Sequence, residues 1–447
     1  MSAPRHAAVR AVAPIGAPLD ATVTVPGSKS LTNRALVCAA LAEGVTAIDG
    51  ALVADDTDAM AAALRALGAG IEARPAGGEG GGPPPGAPRL SVTGTGGDLA
   101  PGPVDLDLRL SGTTGRFLLP VVALGRGRYR LDGAPPLRAR PMGPALAAIG
   151  TLGASVEPHG RAGRLPVTVV AAGHLDGGRL DVPGDTSSQF VSGLLLAAPY
   201  ARGGLGVRVT TPLVGRPFVD MTIAVMGSFG ADVAVTDEAG RPLFTVPEGR
   251  YRATGYRVEP DASAASYFLA AAAICGGRVA VAGLGGASLQ GDAGFADVLA
   301  AMGAGVERSA DATTVVGPPQ LRGLGDIDMS AMPDMAQTLA AVAVFADGPT
   351  RVRGIGFIRG HETDRIAATV RELRRCGVDA REEPDGFVVR PGVPQPARVR
   401  TYDDHRMAMS FALLGLRVPG IEIEDPGCVA KTFPGYWDTL DRLRGGR

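Results

Sequence analysis

Lysine is almost missing from this chain of 447 residues: Lys29 and Lys431 are the only two among 44 basic residues, and all the others are arginine. A coding bias that trades surface lysine for arginine leaves lysine where a compact, rotatable ammonium does what a planar guanidinium cannot. Both lysines are therefore candidates for ligand contact. Cysteine is scarce as well. Cys38, Cys275, Cys376 and Cys428 lie far apart with no CxxC pair, which excludes a disulfide framework and a zinc knuckle. Neither sign of charge dominates, with 44 basic against 45 acidic residues and a formal charge of −1, so the footprint of a nucleic-acid binder is absent. No apolar run reaches the ~18 residues of a membrane span. No apolar stretch follows Arg5 and Arg10, so no secretory signal is expected. What is present is ordinary for a globular chain, 45% apolar and 20% charged, and the length suits two or three domains. The expectation is a soluble protein of a reducing compartment, the cytoplasm.

One phrase repeats along the chain: an apolar helical end, a glycine, then an apolar or acidic strand start. Its glycines are Gly68, Gly153, Gly230, Gly303, Gly377 and, in a truncated copy, Gly445, spaced 68 to 85 residues apart. Glycine suits the left-handed position that closes a helix, and a fixed period points to a repeat architecture. The longest interval contains the low-complexity stretch 76–88, AGGEGGGPPPGAP, which reads as an exposed flexible loop. Short β-rich runs (Ala21–Val25, Leu90–Thr93, Val167–Val170, Val207–Val209, Val279–Val281, Thr314–Val316, Phe387–Val389) alternate with the helices, as in α/β units. Six such units exceed one core, so three plus three is expected, with a midpoint near Tyr256–Asp261 and the first strand free to join either half. The cleft between two lobes is the place to expect a site.

The richest motif opens the chain: Pro26-Gly-Ser-Lys-Ser-Leu-Thr-Asn-Arg34, running into the apolar helix 35–42. Free N–H groups and the helix dipole favour an anion at such a start, and Lys29, Ser30 and Arg34 reinforce it. Ser111-Gly-Thr-Thr-Gly-Arg116 precedes the apolar stretch 117–124 in the same way, and Asp185-Thr-Ser-Ser-Gln-Phe190 precedes 191–198. Ser and Thr are ordinary helix caps, but three such starts at corresponding points of three repeats suggest a common anionic target. Arg138 and Arg140, in the turn Pro136–Pro141, are placed to add guanidinium contacts.

The second half carries groups of both signs. Asp334 opens the helix 336–345, and His361, Glu362 and Arg365 fall in the expected first turn of the helix that ends at Gly377. Asp404, His405 and Arg406 precede the helix 407–414, and Ala430-Lys-Thr-Phe-Pro-Gly435 holds the second lysine. Acids in a first turn complement the dipole, whereas arginines there oppose it and need an anionic partner. His361 and His405 lack HxH or HExxH spacing, so no metal is expected. No GxSxG and no GxGxxG after a strand is present, which removes hydrolase and dinucleotide readings.

Ten segments in order (PGSKSLTNRAL, SGTTGRF, RARPM, DTSSQF, EPDASAASYFLAAAA, QGDAGFADVL, MPDMAQT, GHETDR, YDDHRMAM and AKTFPGY) resemble the 5-enolpyruvylshikimate-3-phosphate synthase family over nearly the whole chain. The resemblance implies an α/β (α+β) fold of the inside-out barrel type, two lobes of three βαβαββ units each. It implies a lobe 28–258 mainly for shikimate 3-phosphate, and a second lobe, 1–27 with 259–447, for acid/base chemistry. It implies a monomer without cofactor or metal that moves the enolpyruvyl group of phosphoenolpyruvate onto the shikimate 5-hydroxyl and releases phosphate. By the same resemblance Asp334, Glu362 and Lys29 are catalytic. Shikimate 3-phosphate falls to Lys29, Ser30, Arg34, Ser187, Ser188, Gln189, Asp334 and His361. Phosphoenolpyruvate falls to Lys29, Gly112, Arg140, Gln189, Arg365, Arg406 and Lys431. The chain departs from the family pattern at Phe117, Gly215, Phe357 and His361, with Arg216 a candidate to compensate for Gly215. The alternatives are the sister enolpyruvyl transferase acting on UDP-N-acetylglucosamine, and an inactive anion-binding protein on the same scaffold. Ser30 in place of Asn counts against the first, and retention of Asp334 and Glu362 against the second.

Overall fold

The computed structural model describes residues 8–74 and 88–444. The loop expected over 76–88 and the sixth glycine, Gly445, lie outside the described residues, apart from Pro88. The chain divides into two compact units, Gly27–Glu259 and Met1–Pro26 with Pro260–Arg447.

The unit Gly27–Glu259 is built of three repeats. In the second, strand Val104–Asp107, helix Gly112–Val122, strand Arg126–Asp132, helix Gly143–Thr151 and the hairpin Ser155–Pro158/Val167–Ala172 follow one another as βαβαββ. The two crossover-linked strands pair in parallel, and the hairpin adds antiparallel strands beyond them. The third repeat copies this with Leu175–Val182, Ser188–Ala197, Ala201–Val209, Arg216–Ser228, Ala234–Glu238 and Arg241–Val246. The first is permuted: its opening strand, Gly255–Arg257, comes from the end of the unit and pairs in parallel with Val45–Asp49.

The other unit has the same plan. Leu19–Val23 supplies the opening strand of a repeat whose remaining elements begin with helix Ala262–Cys275. The middle repeat runs from Gly325–Asp328 to Gly386–Val389. The last has a three-stranded sheet in which Val9–Ala11 pairs antiparallel with Ile421–Glu424. Six repeats are thus present among the described residues, five with four-stranded sheets and the last with three strands, and the run expected at Ala21–Val25 is strand Leu19–Val23, displaced toward the N-terminus.

Each repeat sends its first helix into the core and leaves its second nearer the surface. All eleven residues of Gly112–Val122 and of His405–Gly415 are buried. A helix apolar on every side can rest only there. The second helices end on the recurring glycines: Gly68, Gly153, Gly230, Gly303 and Gly377 have φ of +104, +96, +82, +100 and +76°, a region open to glycine at no steric cost.

Candidate active site

In the unit Gly27–Glu259 the first helix of every repeat starts with a serine-capped polar sequence. Ser28 caps Lys29–Leu41, accepting from Leu31 N–H at 3.4 Å. Lys29 is the first helical residue, and its Nζ lies 3.2 Å from the buried Asp56 Oδ2. The Asp56 carbonyl accepts from Thr114 of the next repeat's first helix at 3.5 Å. That helix, capped by Ser111, carries Arg116, whose Nη1 donates to Gln189 Oε1 at 2.7 Å and to Ser187 Oγ at 3.4 Å. Gln189 Nε2 donates back to Thr113 Oγ1 at 3.1 Å. Ser187 caps the third such helix, with Ser188 its first residue. A Cβ placed on Gly112 would sit 2.5 Å from Arg140 Nη1, so glycine makes room for that guanidinium.

Arg34 lies deeper. Its guanidinium donates to Thr222 Oγ1 (2.7 Å), the Phe218 carbonyl (2.8 Å) and the Ser30 carbonyl (2.9 Å). It rests over the ring of Phe117 at 5.1 Å, a cation–π contact, which gives that departure from the family pattern a local role. Burial pulls the Arg34 pKa down to about 10.

The second unit holds a network of ion pairs. Arg365 Nη1 donates to Asp334 Oδ1 at 2.8 Å and Nη2 to Glu362 Oε2 at 2.9 Å, while Nε reaches Asp404 Oδ2 at 2.8 Å. Arg406 Nη2 donates to the other Asp334 oxygen at 2.7 Å, and Lys431 Nζ to Glu362 Oε1 at 2.9 Å. His361 Nδ1 lies 3.2 Å from Arg365 Nη1. Both candidate proton-transfer carboxylates therefore hang on one guanidinium. Burial alone would lower the pKa of Arg365, but Asp404, Glu362 and Asp334 together raise it above its ordinary value. Arg406 is raised against burial in the same way, mainly by Asp334. A second line of contacts runs from Arg406 Nη2 to Ser263 Oγ at 3.4 Å and from Ser263 to Asp292. Burial, and then the Asp334 charge, push the Asp292 carboxyl up to about 7.

Each unit thus gathers cations around polar helix starts, and one adds two partly accessible carboxylates to them. The sequence model of the EPSP synthase family (3-phosphoshikimate 1-carboxyvinyltransferase) matches residues 14–440. The chain belongs to the EPSP synthase family. It is 47% identical to a 3-phosphoshikimate 1-carboxyvinyltransferase of Nostoc punctiforme, over 94% of this chain and 95% of that protein. It is 41% identical to the chloroplastic protein of the same name from Petunia hybrida, over 95% and 83%. EPSP synthase from Acinetobacter baumannii shares the fold, with a TM-score of 0.78, 28% identity and 97% of each chain covered.

One helix start is corrected by the structure. His361 and Glu362 do not lie in the first turn of a helix. A 3-10 turn, Gly356–Gly360, precedes them, and the helix begins at Arg365 because Asp364 caps it, accepting from Ala367 N–H at 3.0 Å. Arg138 turns to the surface, where Asp132 accepts from it twice, at 2.8 and 2.9 Å. Arg216 is held by Asp220 at 2.7 Å and by the face of Phe244. Gly215 beside it is left-handed at φ +60°, a backbone a serine would occupy only under strain. Phe357 packs edge-on against the His361 ring.

Asp56, Arg116, Asp404, Ser263 and Asp292 join these networks without having been assigned roles from the sequence. Asp404 and Arg116 had a usable signal, since each sits at the start of a buried helix within a motif already singled out. Among the described residues no helix is long and apolar enough to cross a membrane.

Proposed function

We propose that this chain transfers the enolpyruvyl group of phosphoenolpyruvate to the 5-hydroxyl of shikimate 3-phosphate, and that the residues of both units act on that one pair of substrates. The observation that carries the reading is the sharing of Arg365 between Asp334 and Glu362. A binder of anions has no use for carboxylates set among its cations, whereas addition followed by elimination needs a base and an acid side by side.

Asp334 takes the proton of the 5-hydroxyl as its oxygen attacks C2 of phosphoenolpyruvate, and Glu362 delivers a proton to the methylene carbon. The tetrahedral adduct then loses a methyl proton and phosphate, which regenerates the vinyl group. The two carboxyl groups hold different protonation states at the start, so their surroundings must separate them. Lys431 donates to Glu362, and Arg406 to Asp334, and these different cationic partners support the division of roles. Arg365 and Arg406 hold the phosphoenolpyruvate carboxylate, a task suited to guanidinium forks. Lys29, Gly112, Arg140, Gln189 and Lys431 surround its phosphate. Ser187 and Ser188 take the shikimate phosphate, Ser30 and Arg34 its carboxylate, Gln189 also faces shikimate 3-phosphate, and His361 approaches the 5-hydroxyl. The lobe 28–258 thus serves mainly shikimate 3-phosphate, and 1–27 with 259–447 carries the acid/base residues. The working form is a cytoplasmic monomer.

The test is phosphate release on mixing phosphoenolpyruvate with shikimate 3-phosphate, beside a control with UDP-N-acetylglucosamine as acceptor. Release with the shikimate substrate alone is expected. Release only with the UDP-sugar, or with neither, overturns the assignment.

A further inference from the structure

Glu372 is wholly buried and takes no part in the reaction described above. It sits on helix Arg365–Arg375, two turns beyond Arg365. Tyr402 Oη donates to its Oε1 at 2.5 Å, and its Oε2 accepts from Arg375 Nε at 2.8 Å and from Arg400 N–H at 3.0 Å. A buried carboxylate with this many donors fixes whatever carries them.

What it fixes is a strained turn. Tyr402 and Asp403 have φ of +56 and +55°, and the turn is closed by Asp404 N–H donating to the Thr401 carbonyl at 2.9 Å. Two successive left-handed residues form the pattern of a type I′ turn, which favours Asn and Gly. A bulky aromatic there is an outlier that persists only when its surroundings enforce it. The phenol bond to Glu372 and the Arg371 guanidinium, 5.7 Å over the ring, supply that enforcement. Next after the turn comes Asp404. Its Oδ1 caps the following helix by accepting from Arg406 N–H at 2.9 Å, and its Oδ2 holds Arg365. One helix thus grips one turn at two points: Glu372 holds Tyr402, and Arg365 is held by Asp404.

We propose that Glu372 and Tyr402 are positioning residues, a clamp on the turn 401–404 that sets the alignment of Arg365 and Arg406 for the carboxylate of the three-carbon substrate. The proposal rests on the assignment of those arginines to phosphoenolpyruvate. Tyr402→Phe removes one hydroxyl and keeps the ring. Its KM for phosphoenolpyruvate is expected to rise about tenfold, since small misplacements transmitted to a binding group cost up to ~100-fold. Its kcat and its KM for shikimate 3-phosphate should stay within about threefold of the parent, a split that a general loss of structure does not produce. Glu372→Gln should act in the same direction, and the double variant should be no worse than the more affected single one. An unchanged KM for phosphoenolpyruvate in Tyr402→Phe, or a parallel loss in all three constants, overturns the clamp. If Tyr402→Phe does not fold, Glu372→Gln alone is read by the same criteria. Arg406→Gln is measured beside them: if it leaves the KM for phosphoenolpyruvate unchanged, the assignment of the arginines falls. If it raises that KM while Tyr402→Phe does not, only the clamp falls.

Discussion

Replacing Asp292 by Asn should make the protein lose less stability as the pH rises from mildly acidic to neutral. The carboxyl is buried, bonded to Ser263 and close enough to Asp334 for like charges to repel, and its pKa is lifted from 3.8 to about 7. Over the interval between those two values the folded protein keeps a proton that the unfolded chain has released. Stability therefore falls as pH rises through that window, by about 1.4 kcal/mol per pH unit, and levels off above it. Integrated from about pH 5.5 to about pH 8, the loss comes to about 2 kcal/mol. Asparagine still accepts a hydrogen bond from Ser263 but has no proton to lose, so the variant escapes this cost. With roughly 2–4 °C of Tm per kcal/mol for a folding unit of ~200 residues, the variant should gain about 4–8 °C on the parent between those conditions. Thermal unfolding followed by circular dichroism at the two pH values measures this directly. Tm–pH curves that run parallel for the two proteins would refute the reasoning, because they would mean that Asp292 releases its proton at the same pH whether the chain is folded or not.

Asp334→Asn and Glu362→Gln should each lower kcat by about 10²–10⁴, the usual worth of one proton-transfer group, and equilibrium binding of shikimate 3-phosphate should persist; turnover near the parent's in either variant removes that residue's role. Lys29→Arg keeps the charge but exchanges a point donor beside Asp56 for a fork, so a clear loss of kcat/KM is expected, and unaltered steady-state kinetics would argue against contact with substrate. Gly112→Ala places a methyl group 2.5 Å from Arg140 Nη1, which must displace that guanidinium; the KM for phosphoenolpyruvate should rise at little cost in Tm, and an unchanged KM would separate Arg140 from its proposed phosphate.

The repeat was legible because one physical requirement marks it. A second helix that turns back sharply ends in the left-handed region, and glycine recorded this five times within the described residues. Apart from Leu19–Val23, which overlaps the run expected at Ala21–Val25, the opening strands were not read. Val104–Asp107 and Gly325–Asp328 are only four residues long and each carries two aspartates, so the alternation is too short and the β-propensity too low to separate them from loop. In the site, arginines at helix starts stood out because they oppose the dipole, and Arg365 and Arg406 indeed lie against carboxylates. The start of the Arg365 helix was misplaced because Asp364, a good cap, stands only four residues after Gly360. Glu372 and Asp292 could not be found in this way. A buried acid is written with the same letter as a solvated one, and only the donors that three-dimensional packing brings to it separate the two.

The detached opening strand Leu19–Val23 bears on how the molecule comes off the ribosome. Leu19 is paired in register with Gly277, so this strand waits for its neighbour until the whole of Gly27–Glu259 has emerged. That inserted unit has its own core and all its partners in hand first. The waiting segment carries Val23 and Val25, both buried in the finished protein, and during synthesis they stand exposed with nothing to cover them. Pairing at such sequence separation is slow to form, although prior folding of the insert shortens the span to be closed. Leu19–Val23 is thus secured only once Gly277–Ala282 has followed the insert, and until then it is where a chaperone would find an unpaired edge on a half-made chain.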